Sequence, residues 1–283
     1  MQSELDYSEL LPDYSNSRST ISSILKGLDA VALDAVSKAR RWKCALSFSA
    51  GIDSSIMATL FSQTCNVEES VLITLGAKDS MDVRESSSEY EGMKWVCQEV
   101  SKERIENAAI NVSKIVDVSN LAHFEDCSAF YLIAEELSKH SWKFERLLTA
   151  NGTDEVFCGY DRFKRYAREY GYGFVEQEIS RSLTAARMLK KQVGMILARF
   201  GLEAFDPFLE DDFVSFACGN IPSELKILKD DDRLRKRIWR LYGRSLGIPE
   251  KIVLKPKKAM QFSMGIDKVI RSMIKRNSLK LNS

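Results

Sequence analysis

The sequence lacks the patterns that mark several classes of protein. Its six cysteines include no C-x-x-C pair, so a tetrahedral zinc site has no sequence support. No apolar run approaches the length of a membrane span, and the polar stretch 1–23 lacks the basic and apolar regions of a secretory signal. We therefore expect a cytoplasmic protein with reduced, mostly buried thiols.

The chain also lacks a charge bias. Lys and Arg total 41 against 40 Asp and Glu, which gives a formal net charge of +1. No whole-molecule field would attract nucleic acid or an anionic membrane, so neither is an expected partner. With 283 residues and 45% hydrophobic content, the chain is long enough to bury a substantial core. Ligand binding must therefore come from a local site.

The pattern of apolar residues predicts alternating strands and helices. The segment 43–48 is a short apolar strand, followed by a glycine-containing turn and a helix over 55–64. Further strands are predicted at 70–75, 108–112 and 146–149, and helices at 21–36, 90–101 and 124–139. Helical periodicity dominates from about residue 161 onward. This order predicts an α/β fold in which a parallel sheet has helices on both faces, with a helical C-terminal part.

The segment 49–55, Ser-Ala-Gly-Ile-Asp-Ser-Ser, lies between a predicted strand and a predicted helix. Small residues let the backbone approach phosphate oxygens, and the start of the helix supplies N–H donors. Asp53 would repel phosphate unless a cation intervenes, which suggests Mg²⁺. The alternative is a plain turn in which Ser54 or Asp53 caps the helix. The loop is not a Walker sequence because the lysine of that motif is missing.

A second segment, 149–160, reads Thr-Ala-Asn-Gly-Thr-Asp-Glu-Val-Phe-Cys-Gly-Tyr. The first loop resembles the S-G-G-x-D-S loop of ATP-pyrophosphatases, with Ala50 in place of the first glycine. The second resembles the S-G-x-G-x-D-E-x-F-x-G-Y segment of the asparagine synthetase family, and the match spans twelve positions. The resemblance implies an adenine nucleotide α-hydrolase-like fold that binds ATP and Mg²⁺. It assigns magnesium to Asp53 and Asp154, and ATP contacts to Phe48, Ser49, Ala50, Gly51, Asp53, Ser54, Ser55, Leu75, Thr149, Ala150 and Gly152.

Further segments extend the resemblance over roughly residues 43–263. The stretch 201–210 is similar to the family's G-L-E-x-R-x-P-F-L-D segment, with Phe205 where arginine is usual. The stretch 255–263 resembles the R-P-K region and places Lys257 at the family's active-site lysine. Lys258 is the alternative if the alignment slips by one residue.

The resemblance implies a ligase that joins a carboxylate, with aspartate as the first candidate, to an amine through an acyl-adenylate. Catalysis would fall to Lys257, Asp53 and Asp154. Asn151 departs from the family, where ammonia-using members carry a glutamate that contacts the incoming ammonia. Asparagine cannot act as a general base near neutral pH, so either Glu155 supplies that function or the substrates differ.

Three parts of the chain are expected: an N-terminal arm and helix at 1–42, the synthetase-like domain at 43–263 and a C-terminal helix and tail at 264–283. Within the domain, the sheet part is expected to end near residue 160 and the helical part to begin near 161. We expect no glutaminase domain like that of glutamine-dependent synthetases, so free ammonia, a substrate amine or a separate glutaminase subunit is the expected nitrogen source.

Three possibilities stay open at this point. One is that the chain forms a homodimer. A tRNA-modifying ATP-pyrophosphatase is one alternative function, although neither zinc-binding cysteines nor a basic surface is evident. A catalytically degenerate interaction protein is the other, and it is suggested by Ala50, Asn151 and Phe205.

Overall fold

The computed structural model describes residues 10–11, 18–76, 90, 92–116, 119–229, 233–256 and 264–279. Its strands are β1 (Cys44–Ser47), β2 (Val71–Gly76), β3 (Lys94–Glu99), β4 (Arg146–Leu148) and β5 (Glu203–Phe205). They form one parallel sheet in the order β3-β2-β1-β4-β5. The α/β class and the parallel sheet predicted from the sequence are confirmed.

Helices surround this sheet. Before β4 the chain forms α1 (Arg18–Ser37), a 3-10 turn (Lys38–Arg41), α2 (Ile52–Thr64), α3 (Lys102–Ile115) and α4 (Leu121–Ser138). Between β4 and β5 lie α5 (Thr153–Val156), α6 (Asp161–Tyr170) and α7 (Tyr172–Ala198). After β5 come the 3-10 turns Pro207–Leu209 and Ser223–Leu225, with α8 (Asp211–Gly219), α9 (Arg237–Ser245), α10 (Glu250–Val253) and α11 (Ile266–Lys275).

Both faces of the sheet are covered by apolar side chains. Successive strand residues alternate between two core layers: Leu46 and Leu72 belong to one, and Ala45 and Ile73 to the other. Strands that are buried on both faces read as continuous apolar runs, and β2 is buried at all six positions. The layered order therefore follows directly from the composition of the central strands.

Two predicted elements are wrong, and one was missed. The segment 90–101, predicted as a helix, instead holds strand β3, which pairs with β2 along its whole length. Val96 is the one buried position of this edge strand, so its sequence lacks the period-2 alternation of a half-buried strand. The strand predicted at 108–112 lies inside α3, where Ile105, Ala108 and Val112 face the core at helical spacing. The three-residue strand β5 was not predicted.

The amino-terminal segment contributes to the core where it is described. Leu10 and Leu11 are fully buried, and the carbonyl of Leu10 accepts a hydrogen bond from Nη1 of Arg237 at 3.3 Å. The adjoining helix α1 confirms the predicted amphipathic helix and packs against α2 and α8. Within the described ranges, every helix is too short or too polar to cross a membrane.

Candidate functional site

The strand order places a crevice at the carboxyl ends of β1 and β4. From β1 the chain winds outward to β2 and β3 on one side, and β4 and β5 continue on the other side. Open parallel sheets bind ligands where the strand order reverses in this way. The two segments singled out in the sequence, 49–55 and 149–155, follow β1 and β4, so the fold brings them together at this crevice.

The loop after β1 leads directly into a helix start. Helix α2 begins at Ile52, and Gly51 precedes it in extended conformation without a side-chain cap. The alternative reading, in which Ser54 or Asp53 caps the helix, is therefore wrong, since both lie in its first turn. Because α2 has no side-chain cap, its first backbone amides suit an anion.

Hydroxyl groups fix the shape of this loop. Oγ of Ser54 accepts a hydrogen bond from the amide of Ser49 at 3.2 Å and lies 3.2 Å from the carbonyl of Gly51. Ala50 has φ of 52°, in the left-handed region that glycine adopts at no cost. For alanine this conformation costs roughly 1–2 kcal/mol. The chain therefore keeps the glycine-type backbone of the loop despite the substitution.

The loop after β4 is fixed by close packing. Gly152 has φ of 98°, and a Cβ atom there would lie 2.6 Å from the carbonyl oxygen of Phe208. The amide of Thr149 donates to the carbonyl of Phe205 at 3.1 Å, and Oγ1 of Thr153 donates to the carbonyl of Ala150 at 3.0 Å. This backbone path places Asp154 in the first turn of α5.

The two carboxylates predicted to bind magnesium meet on a buried lysine. Nζ of Lys236 lies 2.7 Å from Oδ1 of Asp53 and 2.7 Å from Oδ1 of Asp154, and it donates to Oγ1 of Thr153 at 3.1 Å. Lys236 is 1% exposed, and burial lowers the pKa of its amine, with Asp53 acting against the shift. The indole Nε1 of Trp239 donates to Oδ1 of Asp53 at 3.0 Å.

Lys236 was missed in the sequence analysis. It belongs to the basic run 233–237, which on composition alone reads as a solvated surface segment. In the structure, Lys236 precedes α9 with φ of 52°, and that helix packs against α2. Trp239 on the same helix stacks on Phe157 with ring centroids 4.7 Å apart. Packing of α9, which sequence spacing does not reveal, therefore brings the lysine to the crevice.

Glu155 lies beside the crevice in a buried pocket. Its Oε1 accepts a hydrogen bond from Oη of Tyr160 at 2.6 Å. Burial raises the pKa of Glu155, and the Tyr160 hydroxyl acts against the shift. The guanidinium of Arg162 lies 4.2 Å from the centroid of the Tyr160 ring. A buried carboxyl with a raised pKa suits proton transfer.

Asn151 contacts a carboxylate that the sequence analysis did not single out. Its Nδ2 donates to Oδ1 of Asp206 at 3.2 Å, and the same oxygen accepts from Oγ1 of Thr149. Phe205, where the family usually has arginine, is buried with its ring centroid 6.0 Å from that of Trp42. An apolar contact thus occupies that position.

The remaining predicted residues divide into two groups. Phe48 and Leu75 are buried at the ends of neighbouring strands, and the carbonyl of Phe48 accepts from Oγ1 of Thr74 at 2.7 Å. Lys257 and Lys258 lie outside the described residues, so the predicted active-site lysine has no structural description. Within the described ranges, no group of three or more His, Cys, Asp or Glu side chains is arranged to hold a metal ion.

Comparison with known proteins agrees with the two motifs. Residues 29–195 match the family described as asparagine synthase. A Methanocaldococcus jannaschii protein described as a glutamine-hydrolysing asparagine synthetase is 26% identical over 267 aligned positions, which cover 83% of this chain and 48% of that protein. An asparagine synthetase domain-containing protein of Drosophila melanogaster is 25% identical over 267 positions, covering 80% of this chain and 45% of its own length. The chain spans about half the length of these relatives.

Proposed function

The chain belongs to the asparagine synthase family, and from that premise we propose that it activates a carboxylate with ATP and transfers the acyl group to an amine. The activation step would form an acyl-adenylate and release pyrophosphate. Aspartate is the first candidate acid, and ammonia the first candidate amine. Family membership supports an ATP-dependent ligase, whereas the identity of both substrates belongs to the proposal.

The meeting of Asp53 and Asp154 on Lys236 is the observation that carries this proposal. The two carboxylates come from loops about 100 positions apart in sequence, and each lies 2.7 Å from one ammonium group. Burying an amine between two acids costs desolvation energy that packing alone would not require. The arrangement suits a lysine that stabilises negative charge on a nucleotide bound in the crevice.

The residues present fit magnesium as the implied metal. Mg²⁺ binds one or two protein carboxylates and completes its coordination with water and substrate phosphates. Asp53 and Asp154 would hold the ion, and their two negative charges exceed the single charge of Lys236. When bound, magnesium would neutralise charge on the pyrophosphate leaving group.

The loop 49–55 would position the nucleotide. The first amides of α2 and the hydroxyl of Ser49 would donate to phosphate oxygens, while Ser54, which donates to the carbonyl of Gly51, would hold the loop in shape. In the first step a carboxylate oxygen of the substrate attacks the α-phosphorus, and the bond to the bridging oxygen of pyrophosphate breaks. Lys236 would then stabilise the negative charge that grows on pyrophosphate, together with Lys257.

The second step would use Glu155, the neighbour of Asp154 in α5. The amine nitrogen attacks the acyl carbon, the bond to AMP breaks, and the nitrogen loses a proton. Glu155, whose pKa burial raises, is the candidate acceptor for that proton. Tyr160 would hold its carboxyl group in place through the hydrogen bond of 2.6 Å.

A screen of carboxylic acids tests the proposed function. The purified chain is incubated with ATP, magnesium and ammonium, with aspartate as the first acid, and AMP, pyrophosphate and the amide product are measured. Formation of AMP and pyrophosphate in equal amounts, dependent on the acid, is expected. Cleavage of ATP to ADP and phosphate, or binding of ATP without cleavage for every acid tested, would contradict the proposal.

A further inference from the structure

Asp206 is a buried carboxylate at the end of β5 that the proposed reaction leaves unused. It is 1% exposed, and its Oδ1 accepts hydrogen bonds from Oγ1 of Thr149 and from Nδ2 of Asn151. Its other oxygen, Oδ2, is equally shielded from solvent and has no hydrogen-bond partner in the part of the chain that the structure describes. A buried acceptor without a donor is costly, so it points to a missing ligand.

The charge around Asp206 defines the chemistry of that ligand. Both groups that donate to it, a hydroxyl and a primary amide, are neutral. The positive charge of Lys190 and the negative charge of Glu210 act on it in opposite directions, and burial raises its pKa. A ligand that brings both an N–H donor and a positive charge would satisfy Oδ2 and compensate the carboxylate. An ammonium group has both properties.

The position of Asp206 relates it to the crevice. Thr149, the first residue after β4, and Asn151 lie in the loop that leads to Asp154. Thr149 and Asp206 are buried, whereas Asn151 is half-buried. Asn151 is thus the most exposed of the three residues, and its contact with Asp206 at 3.2 Å is the longer of the two.

We propose that Oδ2 of Asp206 binds the nitrogen of an ammonium group in a substrate, at a subsite formed with Thr149 and Asn151. The inference rests on the proposed function, because it assigns a subsite to one of its substrates. Two sources carry this chemistry: the amine that attacks the acyl-adenylate, which binds as ammonium and passes one proton to Asp206 before its nitrogen attacks, and the amino group of an amino acid whose carboxylate is activated. The Asn151 amide yields its hydrogen bond or moves aside when the ligand enters.

The substitution Asp206→Asn separates the two sources. It keeps the size of the side chain but replaces an acceptor oxygen by an N–H₂ group, which cannot accept a hydrogen bond from the ammonium group of the ligand. The loss of one hydrogen bond to a charged group predicts a KM at least about tenfold higher. A higher KM for the amine with unchanged ATP–pyrophosphate exchange assigns the site to the nucleophile. A higher KM for the acid in the exchange assigns it to the acid's amino group.

Asp212→Asn is the matched control, because the same change is made at an exposed aspartate on α8. The unfolding temperature of each variant is measured alongside. Relief of an uncompensated buried charge predicts that Asp206→Asn unfolds at the wild-type temperature or higher. A lower unfolding temperature with both KM values within twofold of wild type is the signature of a structural role and overturns the proposal.

A second measurement uses the wild-type protein and needs no turnover. Its unfolding temperature is compared in methylammonium chloride and tetramethylammonium chloride at equal ionic strength. Stabilisation by methylammonium alone is expected, since tetramethylammonium has no N–H donor. Equal effects of the two salts overturn the subsite, even if Asp206→Asn does not fold. If methylammonium stabilises the protein but none of the acids tested supports ATP cleavage, the proposed function fails and the subsite stands.

Discussion

Gly159 lies directly against the group formed by Asp154 and Lys236, which makes it a sensitive place to perturb the crevice. A Cβ atom at Gly159 would lie 1.8 Å from Oδ1 of Asp154 and 2.3 Å from Cε of Lys236. The φ of Gly159 lies outside the left-handed region, so alanine there meets no strain of that kind. The substitution Gly159→Ala is therefore a purely steric test of this group.

The size of the effect follows from these distances. Oδ1 of Asp154 must move from 1.8 Å to an ordinary contact of about 3.4 Å, which is well over an ångström. A misplacement of about 1 Å in a catalytic group can cost about a hundredfold in rate. Overpacking of a buried site typically costs about 1–3 kcal/mol of stability. We expect Gly159→Ala to stay folded and to lose at least about a hundredfold in magnesium-dependent ATP–pyrophosphate exchange.

Gly194→Ala in α7 is the matched control. A Cβ atom there meets nothing within 4 Å, and a glycine inside a helix costs about 1 kcal/mol relative to alanine. This variant should unfold at a slightly higher temperature and keep full exchange activity. Exchange is measured with labelled pyrophosphate, and unfolding by circular dichroism. Wild-type exchange by Gly159→Ala would refute the assignment of Asp154 and Lys236 to the reaction.

Three further predictions concern the same crevice. Asp53→Asn and Asp154→Asn should each abolish magnesium-dependent exchange while the protein stays folded; normal exchange in either would remove its metal assignment. Lys236→Met should lower the free energy of unfolding by about 2 kcal/mol, which is less than the roughly 3–5 kcal/mol of a fully buried pair because both acids are partly exposed. Magnesium should raise the unfolding temperature of the variant by more than it raises that of the wild type. An unchanged unfolding temperature in the variant contradicts this. Tyr160→Phe removes a donor to Glu155 and should destabilise by about 1–3 kcal/mol at pH 7. The Tyr160 hydroxyl acts against the rise in the pKa of Glu155, so that pKa rises further in the variant, and the loss should grow as pH rises through the raised pKa of the folded wild-type carboxyl, where only the wild-type Glu155 ionises; a loss that shrinks with rising pH contradicts it.

The sequence was sufficient for the central part of the fold. Strands β1 and β2 are buried on both faces, so their continuous apolar runs mark them without reference to neighbours. Strand β3 was mistaken for a helix because its pairing with β2, and not its own pattern, makes it a strand. Strand β5 has three residues, too few for any periodicity. Edge elements of this kind depend on contacts that a local pattern does not contain.

The candidate site divides in a similar way. Asp53 and Asp154 are recognisable because each stands in a motif between a strand and a helix, and the structure brings them to one place. Lys236 sits in a basic run outside any motif, and Asp206 stands at a variable position of the segment 201–210. Only tertiary packing shows that Lys236 contacts Asp154 and that Asp206 contacts Asn151. The role of Lys257 stays a prediction.

Isotope transfer from the acid to AMP tests the central claim most directly. The acid that supports exchange, with aspartate tried first, is labelled with ¹⁸O in its carboxylate and incubated with ATP, magnesium and an amine. AMP is then analysed by mass spectrometry. Attack of the carboxylate on the α-phosphorus predicts that each AMP carries one ¹⁸O atom from the acid. Unlabelled AMP, or label in inorganic phosphate formed with ADP, would contradict the proposed activation step.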